Sequence, residues 1–326
     1  MKALITGASG FAGRHLVECL LSQGHSVTAT DLAPPGEPFP DGVEAVPLDV
    51  TDEQACWEVV HTAKPDLLLH LAGFAHVAQA EANPQRCLAV NTDGTRHMLN
   101  ACLDGHAAAR FLLISSAEVY GRVAAEQLPV TELQPLRPAT VYAASKASAE
   151  MFVHHAVARG LHGVVARAFN HIGPGQSDEF VAAAFAHQIA RIEAGLQEPV
   201  LNVGNLEAVR DFSDVRHTVV GYLACLEVGQ PGDVFNVTSG AAIKIRDIVD
   251  ALAALSTAQV TVEVDKERLR PLDVPVFNGS GQRLADASGF APSFDLSATL
   301  ADVLDYWRTK VAGVEDVDAD RGQSLR

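Results

Sequence analysis

Short apolar runs recur along the first half of the chain, at about residues 2–6, 26–30, 44–46, 66–70 and 110–115, and helical patterns separate most of them. That alternation predicts a parallel sheet with helices on both faces. Residues 139–159 read as a helix and Val164–Arg167 as a further buried strand, which completes a doubly wound α/β domain near residue 168. Beyond it the pattern changes. Gly173-Pro174-Gly175 interrupts the chain, a long helix is expected over about 179–194, and shorter strands and helices fill about 200–307. The expected division is a first domain over 1–168 that takes back a segment near 214–237, and a smaller C-terminal lobe over 169–312. A flexible acidic tail is expected over 313–326, where Glu315, Asp316, Asp318 and Asp320 follow no apolar period.

The first of these runs carries chemistry. Residues 2–6 lead into Thr6-Gly7-Ala8-Ser9-Gly10-Phe11-Ala12-Gly13, an apolar helix pattern follows, and the next strand ends at Asp31. This is the layout of a dinucleotide-binding β-α-β start, with spacing GxxGxxG. Gly7 permits a sharp turn out of the strand, Gly10 lets backbone N–H groups approach a pyrophosphate, and Gly13 permits close helix-sheet packing. A carboxylate at Asp31 accepts hydrogen bonds from a ribose diol and repels a 2′-phosphate, which favours NAD(H) over NADP(H). Arg14 stands where it can help hold a phosphate. The first domain is therefore expected to be an NAD(P)-binding Rossmann domain.

Composition narrows the partners. With 48% hydrophobic and 20% charged residues the chain is globular, and its net charge of −16 disfavours nucleic acid or an anionic membrane as a partner. The apolar run at Met1–Ile5 is far too short to span a bilayer, and a cytoplasmic protein is expected. Five cysteines, Cys19, Cys56, Cys87, Cys102 and Cys225, are scattered without paired spacing, so free thiols are expected rather than disulfides or a zinc site. The thirteen histidines show no spacing with acids that suggests a metal. His76 reads as a solvent or core residue, and His154-His155 as a surface pair.

The second chemical feature is Tyr142-Ala-Ala-Ser-Lys146, with Ser116 at the end of the strand Phe111–Ser115. Positions i and i+4 share a helix face, so Tyr142 and Lys146 point the same way. An adjacent ammonium favours phenolate and is expected to bring the tyrosine toward working pH as an acid-base catalyst. Ser116, at the carboxyl end of a strand, can hydrogen-bond the same substrate oxygen. Asn91, in Val90-Asn91-Thr92, completes the constellation.

These motifs together resemble the sugar-nucleotide branch of the extended short-chain dehydrogenase/reductase superfamily, over nearly the whole chain. The resemblance implies Ser116, Tyr142 and Lys146 as catalytic triad. It implies cofactor contacts from Gly7, Gly10, Phe11, Ala12, Gly13, Asp31, Leu32, Asp49, Val50, Leu71, Ala72, Gly73 and Asn91, together with Tyr142 and Lys146. Val141 departs from the proline many relatives carry before the tyrosine, with no chemical consequence.

Three further stretches, Ala168–Gln176, Val203–Phe212 and Arg270–Pro275, are similar to those of the branch that reduces a GDP-linked 4-keto-6-deoxy-mannose to GDP-D-rhamnose. That implies a GDP-linked 6-deoxy-4-keto sugar as substrate, with Arg210 and Arg270 on its diphosphate, Asn170 as a neutral donor and Glu118 near a sugar hydroxyl. The lesser alternative for the arginines is a surface ion pair among 40 acidic residues, and for Glu118 a structural acid. Nucleotide-sugar 4,6-dehydratases and C4 epimerases share the triad. Ala117 stands where many dehydratases carry an aspartate, although the GDP-mannose dehydratases have serine there, and the Ile172–Gly175 stretch differs from theirs. A nicotinamide-sensing protein without catalysis would be expected to lack a triad member, and none is missing. The helices at about 84–104 and 139–159 are apolar on more than one face, through Leu88, Met98 and Leu99 and through Ala147, Met151 and Phe152. In relatives such helices pair between subunits, so a homodimer is expected.

Overall fold

The computed structural model describes residues 1–32, 37–266, 274–291 and 295–323, with side chains through residue 313. The chain divides into two compact units. The first comprises Met1–Phe169, Val215–Gly240 and Gly279–Pro292, and the second comprises Asn170–Asp214, Ala241–Asn278 and Ser293–Arg326.

In the first unit the chain runs β1 (Lys2–Thr6), α1 (Phe11–Ser22), β2 (Ser26–Asp31), β3 (Val43–Pro47), α2 (Glu53–Ala63), β4 (Leu67–His70), α3 (Val77–Ala82) and α4 (Pro84–Leu88). A π turn over Ala89–Asp93 leads into α5 (Gly94–Gly105), then β5 (Arg110–Ser116), α6 (Val141–Ala158) and β6 (His162–Ala168). The second unit begins with β7 (Asn170–Ile172), α7 (Val181–Glu193), β8 (Val200–Val203) and β9 (Val209–Asp214). The chain returns to the first unit for α8 (Val215–Val228) and β10 (Val234–Val237). It then builds β11 (Ala242–Lys244), α9 (Ile245–Leu255), β12 (Thr261–Val264) and β13 (Val276–Phe277) in the second unit, α10 (Gln282–Ser288) in the first, and α11 (Leu296–Gln323) in the second.

The first unit is a Rossmann-type fold. Its seven strands form one sheet in the order β10-β6-β5-β4-β1-β2-β3, and every pairing is parallel. Parallel strands covered on both faces are uniformly apolar, as Leu67-Leu68-Leu69 of β4 illustrates. Alternate side chains feed two cores: Ile5, Leu69 and Leu112 meet α1 and α8, while Leu4, Leu68, Phe111 and Leu113 meet α5 and α6. Leu68 is wholly buried, so truncation to alanine would cost about 2–5 kcal/mol.

The strand order switches between β1 and β4, and open α/β sheets bind ligands beyond the carboxyl ends of strands at such a point. The carboxyl ends of β1, β2, β4 and β5 carry Thr6, Asp31, His70 and Ser116.

The second unit holds a small sheet, β11-β9-β13 with β7 beside β9, a parallel β8-β12 pair, and helices α7, α9 and α11 over a core of Phe185, Ile189, Ile248, Leu252, Leu300 and Leu304. Where a flexible acidic tail was expected, helical backbone of α11 continues through Gln323, because no proline interrupts it and only Gly313 and Gly322 weaken it. The helix expected at about 84–104 is present as α4, the π turn and α5, with helical backbone continuous through both junctions. Met98 and Leu99 lie in the core while Leu88 of α4 and Met151 of α6 are exposed. No helix among the described residues is long and apolar enough to cross a membrane.

Candidate active site

The turn after β1 is shaped by its glycines. Gly7 adopts φ +70°, a left-handed conformation that costs glycine nothing, and a Cβ there would stand 2.7 Å from the Ala72 nitrogen. A Cβ on Gly13 would stand 2.3 Å from the Gly7 carbonyl oxygen. The N-terminus of α1 at Gly10 has no side-chain cap, and the Ser9 hydroxyl beside it is buried without a hydrogen-bond partner. An uncapped helix start, an unused hydroxyl and the positive end of a helix dipole fit the pyrophosphate of a dinucleotide.

Asp31, at the end of β2, is oriented by two backbone donors: the Ser9 N–H to Oδ2 at 3.0 Å and the Leu32 N–H to Oδ1 at 2.7 Å. Each oxygen keeps a lone pair for a ribose diol. Leu32 is exposed and Phe11 and Ala12 open α1. Arg14 donates to the Glu37 carbonyl at 2.6 Å and lies over the Phe39 ring.

Asp49 and Val50 follow β3. The Asp49 carboxylate accepts from the Thr51 hydroxyl at 2.7 Å and its N–H at 2.9 Å, with Arg86 at 3.6 Å, and these contacts, led by Thr51, hold its pKa below the ordinary value. Val50 is buried. Leu71, Ala72 and Gly73 follow β4, and the Leu71 and Ala72 N–H groups donate to the Thr6 carbonyl and hydroxyl. A Cβ on Gly73 would stand 2.7 Å from Asn91 Oδ1 and 3.2 Å from Lys146 Nζ, so this loop passes directly beside both.

Ser116, Tyr142 and Lys146 converge. The Thr140 hydroxyl caps α6 by accepting from the Ala143 N–H at 3.1 Å, which starts the helix so that Tyr142 and Lys146 are both buried. The Ser116 side chain lies close enough to Tyr142 to favour its ionised form. Its Oγ also accepts from the Glu118 N–H at 3.2 Å. Glu118 itself is exposed, and its charge acts on Tyr142. Lys146 Nζ donates to the Ile114 carbonyl at 2.9 Å.

The protonation of the pair differs from the expectation. Burial pushes Tyr142 up to about 12, with Ser116 opposing it and Glu118 adding to it. Burial pulls Lys146 down to about 8, opposed by the charges of Cys87 and Glu150. The spacing implied an ammonium lowering the tyrosine, but in the chain itself desolvation of both groups is the larger effect.

Of the groups that hold this triad in place, the sequence named Asn91 but missed Ser145, Glu150 and Arg167. Asn91, 1% exposed, accepts from the Phe74 N–H at 2.7 Å and donates to Ser145 Oγ at 2.9 Å, and that hydroxyl donates to the Tyr142 carbonyl at 2.7 Å. Glu150 lies one turn beyond Lys146 and is wholly buried. It accepts from Ser115 Oγ at 2.5 Å and from the guanidinium of Arg167 on β6 at 2.7–3.2 Å. Arg167 also donates to the Tyr120 hydroxyl at 3.0 Å, which donates to Asn236 Oδ1 at 2.6 Å. A signal was available: Arg167 is a charge inside an apolar strand and Glu150 repeats the four-residue step from Tyr142 to Lys146, so each required a buried partner.

Asn170 and Arg210 lie in the second unit, on the adjacent strands β7 and β9. Asn170 Nδ2 donates to the Asp211 carbonyl at 3.1 Å and Arg210 Nη1 to the Val209 carbonyl at 2.8 Å. Arg270 lies outside the described residues. Among the described residues no group of three or more histidines, cysteines or acids is arranged to hold a metal ion, and all five cysteines are free.

The fold and this geometry match known proteins. The family described as GDP-mannose 4,6 dehydratase matches residues 4–303, and the chain belongs to it. It is thus an enzyme of the extended short-chain dehydrogenase/reductase type with a nicotinamide cofactor. Within that class it is similar to the GDP-6-deoxy-D-mannose reductase of Pseudomonas aeruginosa, with 36% identity over 311 residues, 95% of this chain and 98% of the relative. The solved structure of RMD from Pseudomonas aeruginosa complexed with NADPH is similar at TM-score 0.83 and 35% identity, over 95% of this chain and 99% of that one. The UDP-glucose 4-epimerase of Thermus thermophilus, in complex with NAD, is similar at TM-score 0.84 and 27% identity, over 94% and 99% of the two chains.

Proposed function

We propose that this enzyme reduces the C4 keto group of GDP-4-keto-6-deoxy-D-mannose to GDP-D-rhamnose with NAD(P)H. The observation that carries the reading is near full-length similarity to a GDP-6-deoxy-D-mannose reductase in a chain that keeps Ser116, Tyr142 and Lys146 together.

The reduced nicotinamide, when bound, supplies the hydride. The residues of the chain supply position and a proton. Tyr142, held protonated by burial, gives its proton to the alkoxide oxygen developing at C4. Ser116 Oγ, already accepting from the Glu118 N–H, has its own hydrogen to orient that oxygen. Lys146, anchored on the Ile114 carbonyl, keeps two further N–H donors for a ribose hydroxyl. The glycine turn, Asp31 with Leu32, Asp49 and Val50, Leu71–Gly73 and Asn91 form the cofactor side, and the Asp31 carboxylate favours NAD(H). Asn170, Arg210 and Arg270 are the proposed donors to the substrate diphosphate, with Glu118 near the sugar.

Dehydration across C5 and C6 needs a further acid and base, and Ala117 offers neither. Incubation with the keto sugar and NADPH or NADH, followed by NMR of the product, is expected to give the 4-hydroxy sugar of the D-rhamno configuration. Recovery of the keto sugar unchanged, with GDP-mannose or another nucleotide sugar turned over without added cofactor, would overturn the reading in favour of a dehydratase or epimerase. A GDP-6-deoxy-D-talose product would keep the reductase and correct only its stereochemistry.

The same reading takes the protein as a cytoplasmic homodimer. Five free thiols suit a reducing compartment. Leu88 on α4 and Met151 on α6 are 42% and 52% exposed, apolar side chains that a second copy would cover. Light scattering that gives the monomer mass would remove the dimer.

A further inference from the structure

His70, the last residue of β4, is 1% exposed. Its ring lies between two threonines: Nδ1 is 2.7 Å from Thr6 Oγ1, and Nε2 is 3.1 Å from Thr95 Oγ1. The proton positions follow by counting. Thr95 has one hydroxyl hydrogen and gives it to the Asn91 carbonyl at 2.7 Å, so toward His70 it can only accept, and Nε2 must carry the ring hydrogen. Nδ1 of a neutral ring is then an acceptor, and Thr6 Oγ1 donates to it. Thr6 Oγ1 in turn accepts from the Ala72 N–H at 3.2 Å. A single directed chain results, from the Ala72 N–H through Thr6, His70 and Thr95 to the Asn91 carbonyl.

Asn91 passes the constraint on. It sits in the π turn, four residues before Thr95, so its carbonyl is within reach of the Thr95 hydroxyl. Its side chain reaches the Phe74 N–H and Ser145, and Ser145 reaches the Tyr142 carbonyl. We propose that His70 is a positioning residue, locked as the neutral Nε2–H tautomer, that ties the glycine-turn strand β1 on one side to the π turn and Tyr142 on the other. The inference rests on the reading of Tyr142 as the proton donor. An imidazolium would need both nitrogens to donate, leaving the Thr6 hydroxyl hydrogen without its acceptor. Burial agrees, since it holds the His70 pKa down to about 3, with the Lys146 charge adding to the effect.

The two ends of the ring can be tested apart. A glutamine amide matches the reach of Nε2, so His70→Gln keeps the donor to Thr95 and loses the acceptor for Thr6. His70→Asn matches Nδ1, keeps that acceptor and loses the donor. His70→Gln is expected to raise the nicotinamide KM about ten-fold with kcat within about three-fold, and His70→Asn to do the reverse, each losing one buried hydrogen bond. His70→Leu is expected to lose both, and circular dichroism establishes which variants fold. The tautomer is read without activity, by ring 15N shifts of the wild-type protein, with the His70 signal assigned by its absence in His70→Gln. A neutral Nε2–H form is expected from about pH 6 to pH 8, where an ordinary imidazole changes charge. An Nδ1–H tautomer, or an imidazolium anywhere in that range, would overturn the proposal even if the enzyme proves to be a reductase. Equal effects of the Gln and Asn variants on KM and kcat would overturn the split. A correct tautomer and split, with Tyr142→Phe fully active, would instead overturn the reading of Tyr142.

Discussion

Replacing Glu150 by glutamine probes the most demanding interaction in the first unit. Its carboxylate takes four hydrogen bonds at 2.5–3.2 Å, one from Ser115 and three from the Arg167 guanidinium. The two side chains are 0% and 6% exposed. A glutamine carbonyl can accept some of these donors but carries no charge, and its NH2 group faces the guanidinium. The variant therefore leaves a charged guanidinium buried without a counter-ion, for which a loss of about 3–5 kcal/mol is expected. An unfolding entropy of about 2.1 cal/mol/K per residue gives about 0.7 kcal/mol/K for a chain of this length, so Tm should fall by about 4–7 °C. Urea and thermal unfolding, both without nucleotide, measure it. The double variant Glu150→Met, Arg167→Met removes both charges and should recover much of the loss, because an apolar pair of similar volume has no charge to desolvate. A loss below about 1 kcal/mol in the single variant would mean that the pair behaves as a surface ion pair, and would refute the argument.

Gly13→Ala places a Cβ 2.3 Å from the Gly7 carbonyl oxygen, a backbone atom that cannot turn aside, so nicotinamide affinity by fluorescence titration should fall by at least about ten-fold. Tyr142→Phe removes the proton donor and should lower kcat by about 10²–10⁴-fold while leaving nicotinamide affinity near wild type. In the second unit the Arg308 hydrogen bonds hold Glu193 at about 2, below its ordinary 4.5, with the Thr257 N–H assisting. A carboxylate with a depressed folded pKa stabilises fully above about pH 4.5 and loses that contribution as pH falls toward about 2. Glu193→Gln should therefore flatten the acid limb of a stability-pH profile while leaving the slope between about pH 6 and pH 8 unchanged.

Much of the site was legible because local spacing carries it. The Gly7–Gly13 turn, the acid at the next strand end and the four-residue step from Tyr142 to Lys146 are short-range patterns that backbone geometry enforces. What spacing could not reveal was long-range pairing. Glu150 meets Arg167, and Thr6 meets His70, across distances in sequence that only the strand order creates. The π turn at Ala89–Asp93 left no periodic mark, and the apolar pattern that suggested a subunit interface included Met98 and Leu99, which the structure buries in the core beneath β4 and β5. Gly279–Pro292 belongs to the first unit although it follows two segments of the second, an interleaving that composition does not signal. Tyr142 was misjudged electrostatically for a similar reason: spacing reports a neighbouring ammonium but not the desolvation of both groups.

The central claim is a reduction at C4 by an external nicotinamide, and isotope transfer tests it directly. The enzyme would be mixed with GDP-4-keto-6-deoxy-D-mannose, and in a parallel sample with GDP-mannose, each with nicotinamide cofactor deuterated at the transferable position, and the sugars examined by NMR. One deuterium at C4 of GDP-D-rhamnose for each cofactor oxidised is the predicted result. Cofactor left unoxidised while GDP-mannose is converted, with its own C4 hydrogen returned to C6, would contradict the account and identify a dehydratase.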